Sequence, residues 1–232
     1  MSKSYKHFHF ESVDSTNDVC FKECKENNCP VVVTADLQNK GRGRNQKKWS
    51  SPAGSISYSF GYRSKNIDPS VCVKTGLIVA KALEKVFDLH ISLKWPNDLI
   101  FKNKKVGGIL VESENVDSDF CVVIGIGINL NIVSKEDHWG NLNIDENERF
   151  IKETLIQEFS NRLVRLENMN RSEWQKDWLT RCIHLNKEVM LLNDKKTFIF
   201  SGIDSEGRML LKDESNSIKP FNDSSISVKG LY

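Results

Sequence analysis

The chain has 232 residues, 39% of them apolar and 28% charged, with a formal net charge of +2. That length admits one large domain and one small one, and the composition is that of an ordinary globular protein. A balance so near neutral argues against a broad nucleic-acid or membrane surface.

Met1 to His7 contain no apolar segment of the secretory kind, and no run approaches the roughly 18 residues of a membrane span. A cytoplasmic location is expected. The six cysteines (Cys20, Cys24, Cys29, Cys72, Cys121, Cys182) show no CxxC and are expected to stay reduced and pack as small hydrophobes. The five histidines form no HxxxH or HExxH pattern, so no metal held by protein ligands is expected.

In chain order, His7 and His9 alternate along an extended segment and read as one face of a strand. Ser15 or Thr16 caps a helix over about Asn17 to Glu26, which Asn27 and Asn28 end. The β-branched run Pro30 to Ala35 is a buried strand, and Ser55 to Phe60 alternates as another. Between them the polar stretch Gln38 to Gly54 is a long loop, and long loops inside compact domains are usually functional. From Ser70 to Phe87 the positions Val73, Leu77, Ala80, Leu83 and Phe87 recur at helical spacing.

Three strands follow, Ile91 to Trp95, Leu99 to Phe101 and Val106 to Glu112, the last two joined by the turn Lys102-Asn103-Lys104. Phe120 to Ile126 is a further strand. A helix runs from about Glu148 to Asn168, then a shorter one presents Trp174 and Trp178 four residues apart, as core. After about Asn186 the pattern changes to short strands: Val189 to Leu192, Thr197 to Ile203, Met209 to Lys212, Ile218 to Phe221 and Ile226 to Lys229. Tight turns at Asn193-Asp194, Glu206-Gly207 and Asn222-Asp223 divide them, as in a small β-barrel. So small a barrel is expected to dock on the larger domain.

Four segments carry chemistry. Gly41-Arg42-Gly43-Arg44 opens a loop ending near Trp49. Its glycines permit positive φ and close backbone approach, and its arginines offer forks for phosphate or carboxylate. A solvated basic turn, or a contact to nucleic acid, would use the same residues. Lys94-Trp95-Pro96-Asn97-Asp98 must end or edge a strand, because Pro96 lacks a donor. Lys105 follows with Gly107-Gly108, which leave room for something flat; a charged hairpin is the bland reading. Gly125-Ile126-Gly127-Ile128-Asn129 lacks the third glycine of a dinucleotide loop. Asp14-Ser15-Thr16-Asn17 is at least a helix cap.

In this order and at these intervals the four segments resemble the biotin protein ligases. Those carry an STN element, a GRGR loop ending in Trp, a KWPND hairpin with a downstream lysine, and a G-x-G-I-N strand. The resemblance covers nearly the whole chain. It implies an α+β fold: a mixed β-sheet catalytic domain packed with helices (class II aminoacyl-tRNA synthetase-like) over residues 1–185, plus a small C-terminal SH3-like β-barrel over 186–232. No helix-turn-helix precedes the STN element, so a ligase without an operator-binding role is expected. The implied reaction joins biotin to a lysine of a biotin carboxyl-carrier domain through biotinyl-5'-adenylate. It uses ATP and Mg²⁺, needs neither nucleic acid nor membrane, and leaves monomer against homodimer open.

Carried over residue by residue, Lys105 is the main charge between biotin's carboxylate and the α-phosphate, with Arg42 and Arg44 gripping both as the loop closes. Ser15, Thr16, Asn17 and Gln38 would bind biotin, with Gly41, Arg42, Gly43, Arg44, Lys105 and backbone near Gly108 and Gly127. Arg44, Lys47, Trp49, Lys94, Asn97, Lys105 and Asn129 would meet ATP, Trp49 covering the adenine. Asp98 would orient Lys94 or assist the incoming amine. Two positions depart from the pattern. Gln46 and Lys47 stand where the family often has Gly and Arg; Lys47 keeps the charge without the fork, and Gln46 should stiffen the loop. The neighbouring reading is a lipoate or octanoate ligase or transferase of the same fold, which typically lacks GRGR.

Overall fold

The computed structural model describes residues 4–132, 139–144, 149–169, 171–191, 195–222 and 226–227. Strand β1 (Lys6–Val13) runs parallel to β2 (Val31–Gln38), and α1 (Thr16–Glu26) connects them. Then come β3 (Ser55–Ser64), α2 (Val71–Phe87), β4 (Ser92–Lys94), β5 (Asp98–Phe101), β6 (Lys104–Val116) and β7 (Asp119–Asn129). These strands form one mixed sheet in the order β1-β2-β3-β7-β6-β5-β4, so β7 returns to lie between β3 and β6. Helices α3 (Arg149–Leu163) and α4 (Arg171–Thr180) follow, with a 3₁₀ turn at Leu166–Asn168.

Period-two alternation divides the core. On β2, Val31 and Val33 pack with Cys20, Phe21 and Cys24 of α1, and Cys121 and Val123 of β7 join them. Val32 points the other way, with Ile124, Ile126 and Ile128, into the larger core that α2, α3 and α4 cover. Leu77 and Leu83 of α2 are wholly buried there. Truncating either to alanine should cost roughly 2–5 kcal/mol. Trp174 and Trp178 are buried core side chains, as their spacing suggests.

The last strands, β8 (Glu188–Leu191), β9 (Thr197–Ile203), β10 (Met209–Lys212), β11 (Ile218–Phe221) and β12 (Ile226–Ser227), make a separate antiparallel sheet in the order β11-β10-β9-β8-β12. It meets the first sheet beside β4: the Trp95 indole N–H donates to the Gly207 carbonyl at 2.8 Å. The helix expected to reach Asn168 stops at Leu163, and the 3₁₀ turn takes up the remainder. Glu148, the Asn193-Asp194 turn with Leu192, Asp223 and the end of the last strand at Lys229 lie outside the described residues.

Candidate functional site

The face of β7 that carries Cys121 and Val123 beneath α1 continues with Gly125 and Gly127, which add no side chain. In register beside Gly125 stand Ser59 and Leu110; beside Gly127 stand Ser57 and Gly108. Beyond the first turn of α1 the sheet is therefore a floor of small residues, with Leu110 the one large side chain among these positions. Above it opens a cavity of about 470 Å³, walled by the start of α1, the 38–54 loop and the β4–β5 turn. That is room for a small ligand.

At one end the polar residues are already interlocked. Gln38 Oε1 accepts from Thr16 N (2.9 Å) and Thr16 Oγ1 (3.1 Å), and Gln38 Nε2 donates to Ser51 Oγ (2.9 Å). Asn17 Oδ1 accepts from Ser59 Oγ at 2.6 Å, and Asn17 Nδ2 donates to Glu112 Oε2 at 2.7 Å. Ser15 occupies the N-cap position, but its side chain makes no cap hydrogen bond. Its Oγ instead accepts from Arg42 Nη1 at 3.2 Å.

The loop corrects one expectation and adds detail to another. Gly41 and Gly43 do not take the left-handed conformation; Asn45 (φ 54°) and Gln46 (φ 58°) do. Gly41 is needed for close approach, since a Cβ there would lie 2.7 Å from the Trp49 carbonyl oxygen. At Gln46, where the resemblance would put glycine, the left-handed backbone costs a side-chain-bearing residue about 1 kcal/mol. Arg42, expected to grip the ligand, lines the cavity and is also bonded to other side chains. Its Nε and Nη2 bond Glu112 (3.0 and 2.9 Å), and Nη2 also bonds Asp18 (2.7 Å). Two carboxylates thus fix its guanidinium at the cavity wall.

The other end is cationic. Lys105 Nζ lies 2.5 Å from Asp98 Oδ1 and 5.8 Å from the centre of the Trp49 ring. Lys94 stands opposite Asp98 in the β4–β5 ladder. Burial pushes the Lys94 ammonium below its ordinary pKa; Asp98 opposes that and Lys105 adds to it. Asp98 thus sits with Lys105 as well as opposite Lys94. Arg44 Nη1 reaches Asn97 Oδ1 at 3.4 Å, and Asn97 Nδ2 donates to the Ile109 carbonyl. The Trp49 indole lies flat on the floor: a Cβ at Gly127 would come within 2.6 Å of it. Trp139 packs against it, ring centres 5.6 Å apart and planes 30° apart.

Of the residues singled out from sequence, Ser15, Thr16, Asn17, Gln38, Arg42, Gly43, Arg44, Lys47, Trp49, Lys94, Asn97, Lys105, Gly108 and Gly127 line this one cavity, and Asp98 joins them. Gly41 and Asn129 are not on its lining. Asn129 is buried and donates from Nδ2 to the Gly140 carbonyl at 3.0 Å, so it braces a loop. Sequence reasoning missed Glu112, Ser59 and Trp139. Glu112 did leave a signal: a carboxylate interrupting the apolar run Ile109-Leu110-Val111. Among the described residues no group of three or more His, Cys, Asp or Glu could hold a metal ion, and no helix is long and apolar enough to cross a membrane.

The biotin/lipoate A/B protein ligase family model matches residues 9–129. The chain is 30% identical to the bifunctional ligase/repressor BirA of Escherichia coli over 94% of its own length and 72% of that protein's. It is 27% identical to the biotin–[acetyl-CoA-carboxylase] ligase of Paracoccus denitrificans, covering 86% of this chain and 91% of that one. The Aquifex aeolicus biotin protein ligase, solved with biotin and ATP, superposes with a TM-score of 0.75 at 28% identity, covering 96% of this chain and 97% of that one.

Proposed function

The chain belongs to the biotin/lipoate A/B protein ligase family, and we propose that within it the protein joins biotin to a lysine of a biotin carboxyl-carrier domain, at the expense of ATP. One observation carries this reading. A single cavity has a neutral hydrogen-bonding end (Thr16, Asn17, Gln38) and a cationic end (Lys94, Lys105, Arg44). Biotin's ureido ring suits the first; a carboxylate meeting a phosphate suits the second.

In the first step a biotin carboxylate oxygen attacks the α-phosphorus of ATP. The bond from that phosphorus to the bridging oxygen breaks, and pyrophosphate leaves with the Mg²⁺ that entered as part of the nucleotide substrate. Two anions must approach, and fixed positive charge between them lowers that barrier. Lys105, steadied by Asp98, is placed for this, with Arg44 and Lys94 beside it. Trp49 and Lys47 flank the nucleotide side, with Asn97 fixing Arg44. In the second step a neutral lysine amine of the carrier attacks the biotinyl carbonyl carbon, AMP leaves, and the amine's proton passes to solvent or a carboxylate. Residues 186–232 form a C-terminal unit set on a catalytic unit of 1–185; the separation into two sheets supports that division.

The test is ATP–pyrophosphate exchange by the purified protein with biotin, lipoate, octanoate or no acid. Exchange that requires biotin is expected. Exchange driven instead by lipoate or octanoate would move the chain to the neighbouring activity of its family.

A further inference from the structure

Glu112 lies on β6 opposite Val123 of β7, on the sheet face that α1 covers, and behind the cavity rather than on its lining. Its side chain is 26% exposed. A carboxylate in such a place loses hydration, which only good donors offset. It has three: Arg42 Nε on Oε1, and Arg42 Nη2 with Asn17 Nδ2 on Oε2.

We infer that Glu112 is a positioning residue for the biotin end of the site, fixing at once the orientation of the Asn17 amide and the course of the loop that follows Gly41. The inference rests on the proposed reading of biotin as the acid. Asn17 lies directly on the floor: its Oδ1 would be 2.5 Å from a Cβ at Gly125. An amide turned over would set Oδ1 against the Glu112 carboxylate, so Glu112 decides which end of Asn17 faces Ser59. The same carboxylate takes the Arg42 fork, and Arg42 in turn donates to Ser15. One side chain therefore ties loop, helix start and strand together. The cationic end draws on Lys105, Lys94 and Arg44, none of which this network holds. Loss of Glu112 should disturb biotin and spare ATP.

The experiment is ATP–pyrophosphate exchange by the full chain carrying Glu112→Gln, with biotin and ATP varied in turn. The KM for biotin should rise about tenfold, the scale of losing a hydrogen bond to a charged group. The KM for ATP and the rate at saturating biotin should stay near wild type, and Glu112→Asp should recover part of the loss. An unchanged biotin KM would overturn the inference. So would equal rises in both KM values with a lowered melting temperature, the mark of a merely structural role. Should Glu112→Gln not fold, Glu112→Asp, which keeps the charge and shortens the reach, is judged on the same two KM values. A wild-type protein without biotin-dependent exchange would defeat the choice of acid instead. Protease cutting between Gln38 and Pro52 then decides for Glu112: faster in the variant upholds the anchor, equal overturns it.

Discussion

Lys105 and Asp98 stand on neighbouring strands, and they meet because the β5–β6 ladder shifts register between Leu99 and Ile100. Asp98 pairs with Gly108, yet Ile100 pairs with Lys105, so β6 holds one extra residue. Side chains alternate, and in a regular ladder Lys105 would point to the opposite face from Asp98 and Gly108. The bulge returns it to the cavity face, a use bulges commonly serve beside functional sites.

Replacing Lys105 by alanine should therefore remove a charge that the fold has been bent to deliver. Biotin-dependent exchange should fall about 10²- to 10³-fold, the range for losing one preorganised electrostatic stabiliser. The melting temperature should fall modestly, because the part-buried Asp98 loses its ion-pair partner. Exchange near the wild-type rate would remove Lys105 from the proposed mechanism.

The two glycines after Lys105 should part company. A Cβ at Gly107 would lie 2.7 Å from the Gly127 carbonyl oxygen and 2.8 Å from Leu99 Cδ1, whereas one at Gly108 meets nothing closer than 3.6 Å. Gly107→Ala must push backbone apart and should cost about 1–3 kcal/mol of stability. Gly108→Ala should fold normally and act on ligand binding, since its Cβ would enter the cavity beside Lys105 and Trp49. Denaturant melts of both variants, with biotin and ATP titrations of the second, separate the two effects.

That contrast marks how far the sequence could be read. Lys94, Asp98 and Lys105 could be placed at one hairpin from turn residues alone, because turn chemistry is local. The bulge that aims Lys105 depends on how two strands register, which no short window encodes. Likewise α1 and the glycine strand could be found separately, but not that Asn17 rests on Gly125. Glu112 was missed because its partners lie 95 and 70 residues away. The left-handed conformation of the Gly41 loop was misassigned to its glycines, since the steric need at Gly41 comes from the Trp49 carbonyl beside it.

Trp95 joins the site hairpin to the second sheet through its bond to the Gly207 carbonyl, at 5% exposure. Trp95→Phe should keep most of the apolar contact and leave that buried carbonyl unpaired, costing about 1–3 kcal/mol. Because Trp95 sits between Lys94 and the Pro96 turn, a loss in exchange rate should accompany the loss in stability. A variant of full stability and reduced exchange would show instead that the indole acts on ligand directly.

His184 should contribute to the response to acid. It is wholly buried, its ring 4.2 Å from that of Phe200, and neither ring nitrogen has a hydrogen-bond partner among the described residues. Burial, and then the nearby Lys94 and Lys187, push its pKa from 6.5 down to about 3. Below pH 6.5 the unfolded chain takes up a proton that the folded chain refuses, so folding weakens as pH falls. The contribution is complete above pH 6.5 and is lost progressively toward pH 3. Between pH 7 and pH 5 that amounts to about 2 kcal/mol from this one group. The expected result is a melting temperature that drops across this range in wild type and drops less in His184→Phe. The comparison within each protein matters, since the larger ring will shift the absolute value. Equal drops in both would place the acid response in other groups and leave His184 as packing alone.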